Sequence, residues 1–135
     1  MTTSRTPFSF RWPLLILYSV FLYVAFTLPA QKIPPAVAEA NDKIIHVIVF
    51  FIYALLAFRT FFYSSRPLFH NDAGLKSVGL SLFYGAFLEW VQWNVSGRSA
   101  SFTDWLADLA GTLAASAIFR ISRLPRRGYP DPLND

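Results

Sequence analysis

The sequence predicts an all-α protein whose four helices form a transmembrane bundle with both termini in the cytoplasm. Three observations support this fold class. Apolar residues make up 54% of the 135-residue chain and charged residues only 15%, whereas roughly 25% of a typical soluble domain is charged. The apolar residues fall into four stretches, each near the roughly 20 residues that a helix needs to cross a bilayer. The Lys and Arg residues are distributed unequally between the two sides of this arrangement.

The four predicted helices occupy residues 12–28, 44–62, 75–93 and 102–121. The first two lack the polar residue at every third or fourth position that a soluble helix shows, while acidic residues interrupt the last two. An alternative for the first stretch is a signal peptide with a cleavage site at 38–40. We favour a retained helix because that site lies about ten residues beyond the apolar run.

Orientation follows from the positive residues. Nine of the 12 Lys and Arg residues lie before the first stretch, between the second and third stretches or at their facing ends, or at the end of the fourth stretch and beyond it. Only Lys32, Lys43 and Arg98 lie on the other side, so the positive-inside rule places both termini in the cytoplasm. The predicted organisation is a cytoplasmic N-terminal segment (1–11), a four-span membrane domain (12–121) and a basic, Pro-containing C-terminal tail (122–135).

Polar side chains cluster at the outer ends of the predicted helices. A charge inside a bilayer helix costs on the order of 2.5–3.5 kcal/mol, so such residues usually face other helices or a wet cavity. On the fourth helix the face that carries the acids continues through Gly111 and Ala115, whose small side chains let a neighbouring helix approach. The predicted outer-face cluster contains Asp42, His46, Glu89, Gln92, Arg98, Asp104 and Asp108.

Acid–base chemistry is the function that these residue types suggest. His46, oriented by Asp42, is a candidate proton carrier, and Glu89 or Asp108 is a candidate general base in a poorly solvated pocket. Arg98 is the candidate for holding a phosphate or carboxylate group. The catalytic candidates are therefore His46, Glu89 and Asp108, and the substrate-binding candidates are Asp42, Gln92, Arg98 and Asp104.

Several of these residues also have structural interpretations. Asp42 can cap the second helix, and residues 101–104 match a capping box in which Asp104 supplies the carboxylate. The acids and His46 have suitable ligand types for a divalent cation, but Arg98 is expected to neutralise them instead. With one His in the spans and no Cys, a haem or thiolate centre is not indicated. We therefore expect no metal and no cofactor.

The motifs DKIIH (42–46), EWVQ (89–92) and GRSASFTDWLADLAG (97–111) closely resemble the VanZ-like family of integral membrane proteins. The family pattern reads Asp-Lys-x-x-His, Glu-x-x-Gln, an Arg, then Asp-x-x-x-Asn-x-x-Gly, and the resemblance covers about residues 12–121. It adds Lys43, otherwise an interfacial anchor, to the substrate-binding candidates. Asp108 departs from the pattern because many members have Asn there.

The resemblance implies a multi-pass protein of the bacterial cytoplasmic (inner) membrane with a role in the cell envelope. The family name comes from a member associated with glycopeptide resistance, a role that the resemblance does not by itself transfer. The leading hypothesis is an outer-face site that binds or acts on an anionic, cell-envelope or lipid-linked molecule. Whether a reaction is catalysed stays open. Expected partners are membrane lipids and such a ligand, and no nucleic acid.

The alternative is a small accessory subunit of a larger membrane complex. The polar cluster then acts as a clasp between helices. An aromatic surface on the second helix then faces neighbouring subunits, although lipid contact is the simpler interpretation of that surface. Its members are Phe50, Phe51, Phe58, Phe61 and Phe62.

Overall fold

The computed structural model describes residues 11–28, 42–95 and 99–123, whose regular secondary structure is entirely α-helical. The all-α prediction is confirmed. The N-terminal segment before residue 11, the connection 29–41, Arg98 and nearly all of the tail 122–135 lie outside the described residues. The helices in chain order are α1 (Arg11–Thr27), α2 (Asp42–Phe62), α3 (Pro67–His70), α4 (Ala73–Trp93) and α5 (Phe102–Ile121).

The four long helices coincide with the four predicted stretches, and the short helix α3 was not predicted. Among the described residues, α2 is the one helix that is both long and apolar enough to cross a membrane, judged by length and composition. Helix α1 is apolar but has only 17 residues. The polar side chains of α4 and α5 lower their apolar content. Four membrane crossings and the cytoplasmic placement of the termini therefore stay predictions.

Helix α2 is the centre of the arrangement, because it packs against α1, α4 and α5. Phe50 and Tyr53 of α2 are buried against Leu22 and Phe26 of α1 and Leu88 of α4. A second apolar cluster joins α2 to α5 through buried Ala54, Phe58 and Ala115.

The predicted outward-facing aromatic surface on α2 is wrong. Phe50, Phe58 and Phe61 are buried, and Phe51 and Phe62 are half-buried. The physical reason is that neighbours pack on three sides of α2, so side chains on most of its circumference enter the core.

Gly111 sets the distance between α5 and α2. A Cβ atom at this position would overlap the carbonyl oxygen of Val47 and lie 2.9 Å from the amide nitrogen of Phe51. Both are backbone atoms of α2, which cannot rotate away as a side chain can. The predicted close approach along the face of Gly111 and Ala115 is therefore found, and it brings the polar residues of α5 against α2.

Candidate functional site

Three ionisable side chains from three helices meet inside the bundle: His46 of α2, Glu89 of α4 and Asp108 of α5. The Nδ1 atom of His46 lies 2.8 Å from Oδ1 of Asp108 and 4.0 Å from Oε1 of Glu89. His46 and Asp108 are each 1% exposed and Glu89 is 8% exposed. The structure thus brings together the three catalytic candidates, which we call the buried triad.

Each member of the triad lies between one and two turns from an end of its helix. His46 follows Asp42 by one turn at the start of α2, and Glu89 comes one turn before the end of α4 at Trp93. A small residue then makes room for the Asp108 carboxylate, because a Cβ atom at Gly85 would lie 2.7 Å from its Oδ2. The ring of Phe26 meets the His46 ring edge to face, with centroids 4.9 Å apart, so α1 closes the side of the triad.

The partner that orients His46 differs from the predicted one. We predicted Asp42, one turn earlier on the same helix, but the ring nitrogen bonds to Asp108 across the α2–α5 interface. With the Asp108 carboxylate ionised, the Nδ1–H donates this bond, which leaves Nε2 of His46 as the basic nitrogen. Asp42 is half-buried in the first turn of α2, and it can bring a carboxylate oxygen near His46 and Asp104.

Asp104 forms an ion pair instead of a capping box. Its Oδ1 accepts a hydrogen bond from Lys43 Nζ at 3.0 Å, with the Asp104 side chain buried and the Lys43 side chain 56% exposed. Ser101 is the N-cap of α5 without a side-chain capping bond, and its backbone N–H donates to Oε2 of Glu89 at 2.9 Å. The capping-box interpretation of Asp104 is therefore wrong, because a carboxylate from α4 has taken the amide that the box requires.

The two remaining predicted site residues are Gln92 and Arg98. Gln92 is buried three residues after Glu89 on the same helix. Arg98, the predicted anion-binding residue, lies outside the described residues. Sequence reasoning missed the Ser101 amide, which no side-chain motif can reveal.

Three buried oxygen atoms around the triad have no hydrogen-bond partner within the described ranges. They are Oε1 of Glu89, Oδ2 of Asp108 and Oγ1 of Thr112. Buried polar atoms are normally hydrogen-bonded, and each exception calls for a water, an ion or a functional explanation. Thr112 is fully buried and was not among the predicted site residues, since a lone Thr in an apolar helix carries no distinctive signal.

A groove of about 350 Å³ lies between α4 and the start of α5, beside the triad. Its lining is mostly apolar and includes Glu89 as its acidic member. The Trp105 indole N–H donates to the carbonyl oxygen of Leu82 at 3.2 Å, which holds that ring against α4. Sequence reasoning missed the groove because it arises from the packing of two helices. The lining residues are Ala86, Glu89, Ala100, Ser101, Phe102 and Trp105.

Comparison with known proteins gives one match. A family model described as VanZ/LLP1 matches residues 3–123, a range that includes all four long helices and the three motifs of the sequence resemblance. Neither the curated proteins nor the solved structures that were searched gave a significant match. Because the family model covers most of the chain, the protein belongs to the VanZ/LLP1 family.

Proposed function

We propose that this protein is a multi-pass membrane protein of the bacterial inner membrane that binds or acts on a lipid-linked anionic molecule of the cell envelope. The observation that carries the proposal is the buried triad beside an apolar groove, with two triad oxygen atoms that lack a hydrogen-bond partner in the described part of the chain. Glu89 belongs to both features. A molecule with an apolar chain and a polar head fits such a pair of neighbouring environments.

Membrane insertion is supported by the apolar surface. Large apolar side chains of α1, such as Ile16, Leu17 and Phe21, are exposed, and contiguous exposed apolar surface of this kind marks a lipid or protein contact. Trp90 and Trp93 are also exposed, near the end of α4 that carries Glu89. Trp side chains are enriched at membrane–water interfaces, so the site is expected at interfacial depth. The Lys and Arg distribution supports the proposal that this end lies at the outer face.

Acid–base chemistry is the activity that we propose if the protein is an enzyme. Glu89 is the candidate general base because it is the triad member that lines the groove. The His46–Asp108 pair has the arrangement of a base held by an orienting carboxylate. These roles correspond to those of catalytic residues in a hydrolase or a transferase. If the protein only binds its ligand, the same residues form the binding site and no reaction takes place.

Native mass spectrometry of the protein, extracted gently from its own membrane, tests this proposal. We expect a monomer or small homo-oligomer that carries a specific lipid-linked molecule. The Glu89→Gln variant weakens the hydrogen bond that holds Ser101 at the groove wall, because a neutral amide is a weaker acceptor than a carboxylate, and it should lose that molecule. The control is Asp72→Asn, at the opposite end of α4, where Asn tolerates the left-handed backbone (φ 53°) of the position. Retention of the same ligand by Glu89→Gln would overturn the proposal.

A second function, an accessory subunit with a polar clasp, has its own supporting observation. Two of the polar links join α2 to α5, through Lys43–Asp104 and His46–Asp108. A third joins α4 to the N-cap of α5, through Ser101 and Glu89. Under this function the native protein emerges in a large heteromeric complex, and Glu89→Gln loosens that complex without changing a bound small molecule.

A further inference from the structure

We propose that His46, Glu89 and Asp108 bind one divalent transition-metal cation, for which Zn²⁺ is the best-matched ion. Each residue can offer one ligand atom, and these atoms lie within 4.8 Å of one another. The cation's presence does not depend on the proposed binding of a ligand, and with the cation bound the three side chains act as its ligands in place of the acid–base roles given above. The cation's role as a counter-charge for an anionic ligand rests on the proposed function.

The distances are close to those of a three-ligand zinc site. Ligand atoms at about 2.0–2.2 Å from a tetrahedral Zn²⁺ lie roughly 3.3–3.6 Å from each other. The distances from His46 Nδ1 to Asp108 Oδ1 and Glu89 Oε1 are 2.8 and 4.0 Å, on either side of this range. Zinc binding at this site therefore requires side-chain rotations that lengthen the first distance and shorten the second. Binding uses the lone pair of Nδ1, so the ring proton moves to Nε2.

The partnerless oxygen atoms are a separate observation that points to a ligand. Oε1 of Glu89 and Oδ2 of Asp108 are buried without a hydrogen-bond partner among the described residues, and the side chains are 10% and 1% exposed, respectively. Oε1 is also the Glu89 atom nearest to His46 Nδ1. Two buried carboxylates beside one imidazole are costly to keep ionised without a counter-charge, and a cation among the three side chains would supply one.

The types of ligand atom indicate which cation is preferred and which of two residue clusters binds it. One imidazole nitrogen with two carboxylates suits Zn²⁺, whereas Mg²⁺ and Ca²⁺ prefer oxygen ligands alone. The other cluster of suitable residues is Asp42, His46 and Asp104. There Oδ1 of Asp104 already accepts a hydrogen bond from Lys43, so its charge is compensated. The buried triad is therefore the preferred site.

A cation at the triad also removes an electrostatic difficulty in the proposed function. The described part of the site contains four carboxyl groups and two basic groups. The basic groups are the ammonium of Lys43 and the imidazole of His46. The carboxyl groups belong to Asp42, Glu89, Asp104 and Asp108. An anionic head group is repelled by such a site unless a cation lies between them. Three protein ligands leave a coordination position for water or ligand, and Glu89 lies at the wall of the groove.

Zinc titration of the full chain in detergent, after removal of metal with a chelator, tests the site. We expect about one Zn²⁺ per chain and no competition from excess Mg²⁺. His46→Gln should weaken binding at least about tenfold, because loss of even an outer-shell partner of a metal ligand costs that much. The matched control is His70→Gln, which alters the exposed histidine that ends α3, next to the Phe62 carbonyl at the far end of α2, and should bind as the wild type does. Equal affinities of the two variants would overturn the inference.

X-ray absorption at the zinc edge of the wild-type protein gives an answer that does not depend on a variant folding. One imidazole nitrogen with oxygen ligands is expected, and a zinc shell without imidazole contradicts the site. If Arg98 neutralises the acids instead, the wild type binds no Zn²⁺ and Arg98→Gln gains it, which also overturns the inference. Zinc bound in a protein that carries no lipid-linked molecule would refute the proposed function and leave the metal site intact.

Discussion

Replacement of Gly111 by Ala tests whether the close approach of α5 to α2 holds the site together. The added Cβ atom would overlap the Val47 carbonyl oxygen and lie 2.9 Å from the Phe51 amide nitrogen. Ordinary van der Waals contact begins at 3.4 Å, so the helices must separate by at least about 0.5 Å at Phe51. Since both contacts are with backbone, neither can be relieved by a side-chain rotation.

The expected cost is about 1–3 kcal/mol of unfolding free energy, the usual penalty for overpacking a well-packed interface. This penalty opposes the intrinsic preference of a helix for Ala over Gly, which is worth up to about 1 kcal/mol. Asp108 lies one turn from Gly111 on the same face. The same separation lengthens its 2.8 Å contact with His46 to at least about 3.3 Å, at or beyond the limit of a hydrogen bond.

The assay is equilibrium unfolding in mixed detergent micelles, followed by circular dichroism, together with zinc titration. The matched control is Gly79→Ala on α4, where an added Cβ atom meets nothing within 4 Å. We expect this control to be neutral or slightly more stable than the wild type. Equal stability and equal zinc affinity of the two Ala variants would refute the packing argument.

Two further predictions concern the neighbours of the triad. In Gly85→Ala the new Cβ atom lies 2.7 Å from Oδ2 of Asp108, so the carboxylate must turn away from His46. We expect weaker zinc binding with a smaller stability loss than in Gly111→Ala, because a side chain yields more easily than backbone; unchanged zinc affinity would contradict this. Lys43→Gln leaves the buried Asp104 carboxylate without its partner and should cost about 1–2 kcal/mol. A double-mutant cycle with Asp104→Asn should show coupling, and strictly additive effects would mean that the ion pair contributes nothing.

Much of the fold could be predicted because helix position is a local property. The predicted stretch 102–121 coincides with α5. The stretch 44–62 differs from α2 only because the helix begins two residues earlier, at Asp42. The inward orientation of Glu89 and Asp108 was also predictable. An acid in an apolar helix is expected to face the interior, and both side chains are buried. The short helix α3 was missed because four residues carry too little periodicity.

The partners within the site were less predictable. The bond of His46 to Asp108 in place of Asp42, and that of the Ser101 amide to Glu89, both cross between elements distant in sequence. The aromatic residues of α2 were misassigned for a related reason. Phe50 and Phe58 give the same apolar pattern in the sequence whether they face lipid or another helix. Only the positions of the neighbouring helices distinguish these two cases.

The sequence by itself determined the all-helical class, the order of the long helices, the family motifs and the inward orientation of the acids Glu89 and Asp108. These depend on apolar content and on the spacing of residues along one helix. Only the tertiary structure decided that His46, Glu89 and Asp108 form one buried triad, that two of its oxygen atoms lack partners among the described residues, and that a groove adjoins it. The reason is that such contacts depend on how closely α5 approaches α2 and how α4 is rotated against both, which small residues such as Gly111 and Gly85 permit.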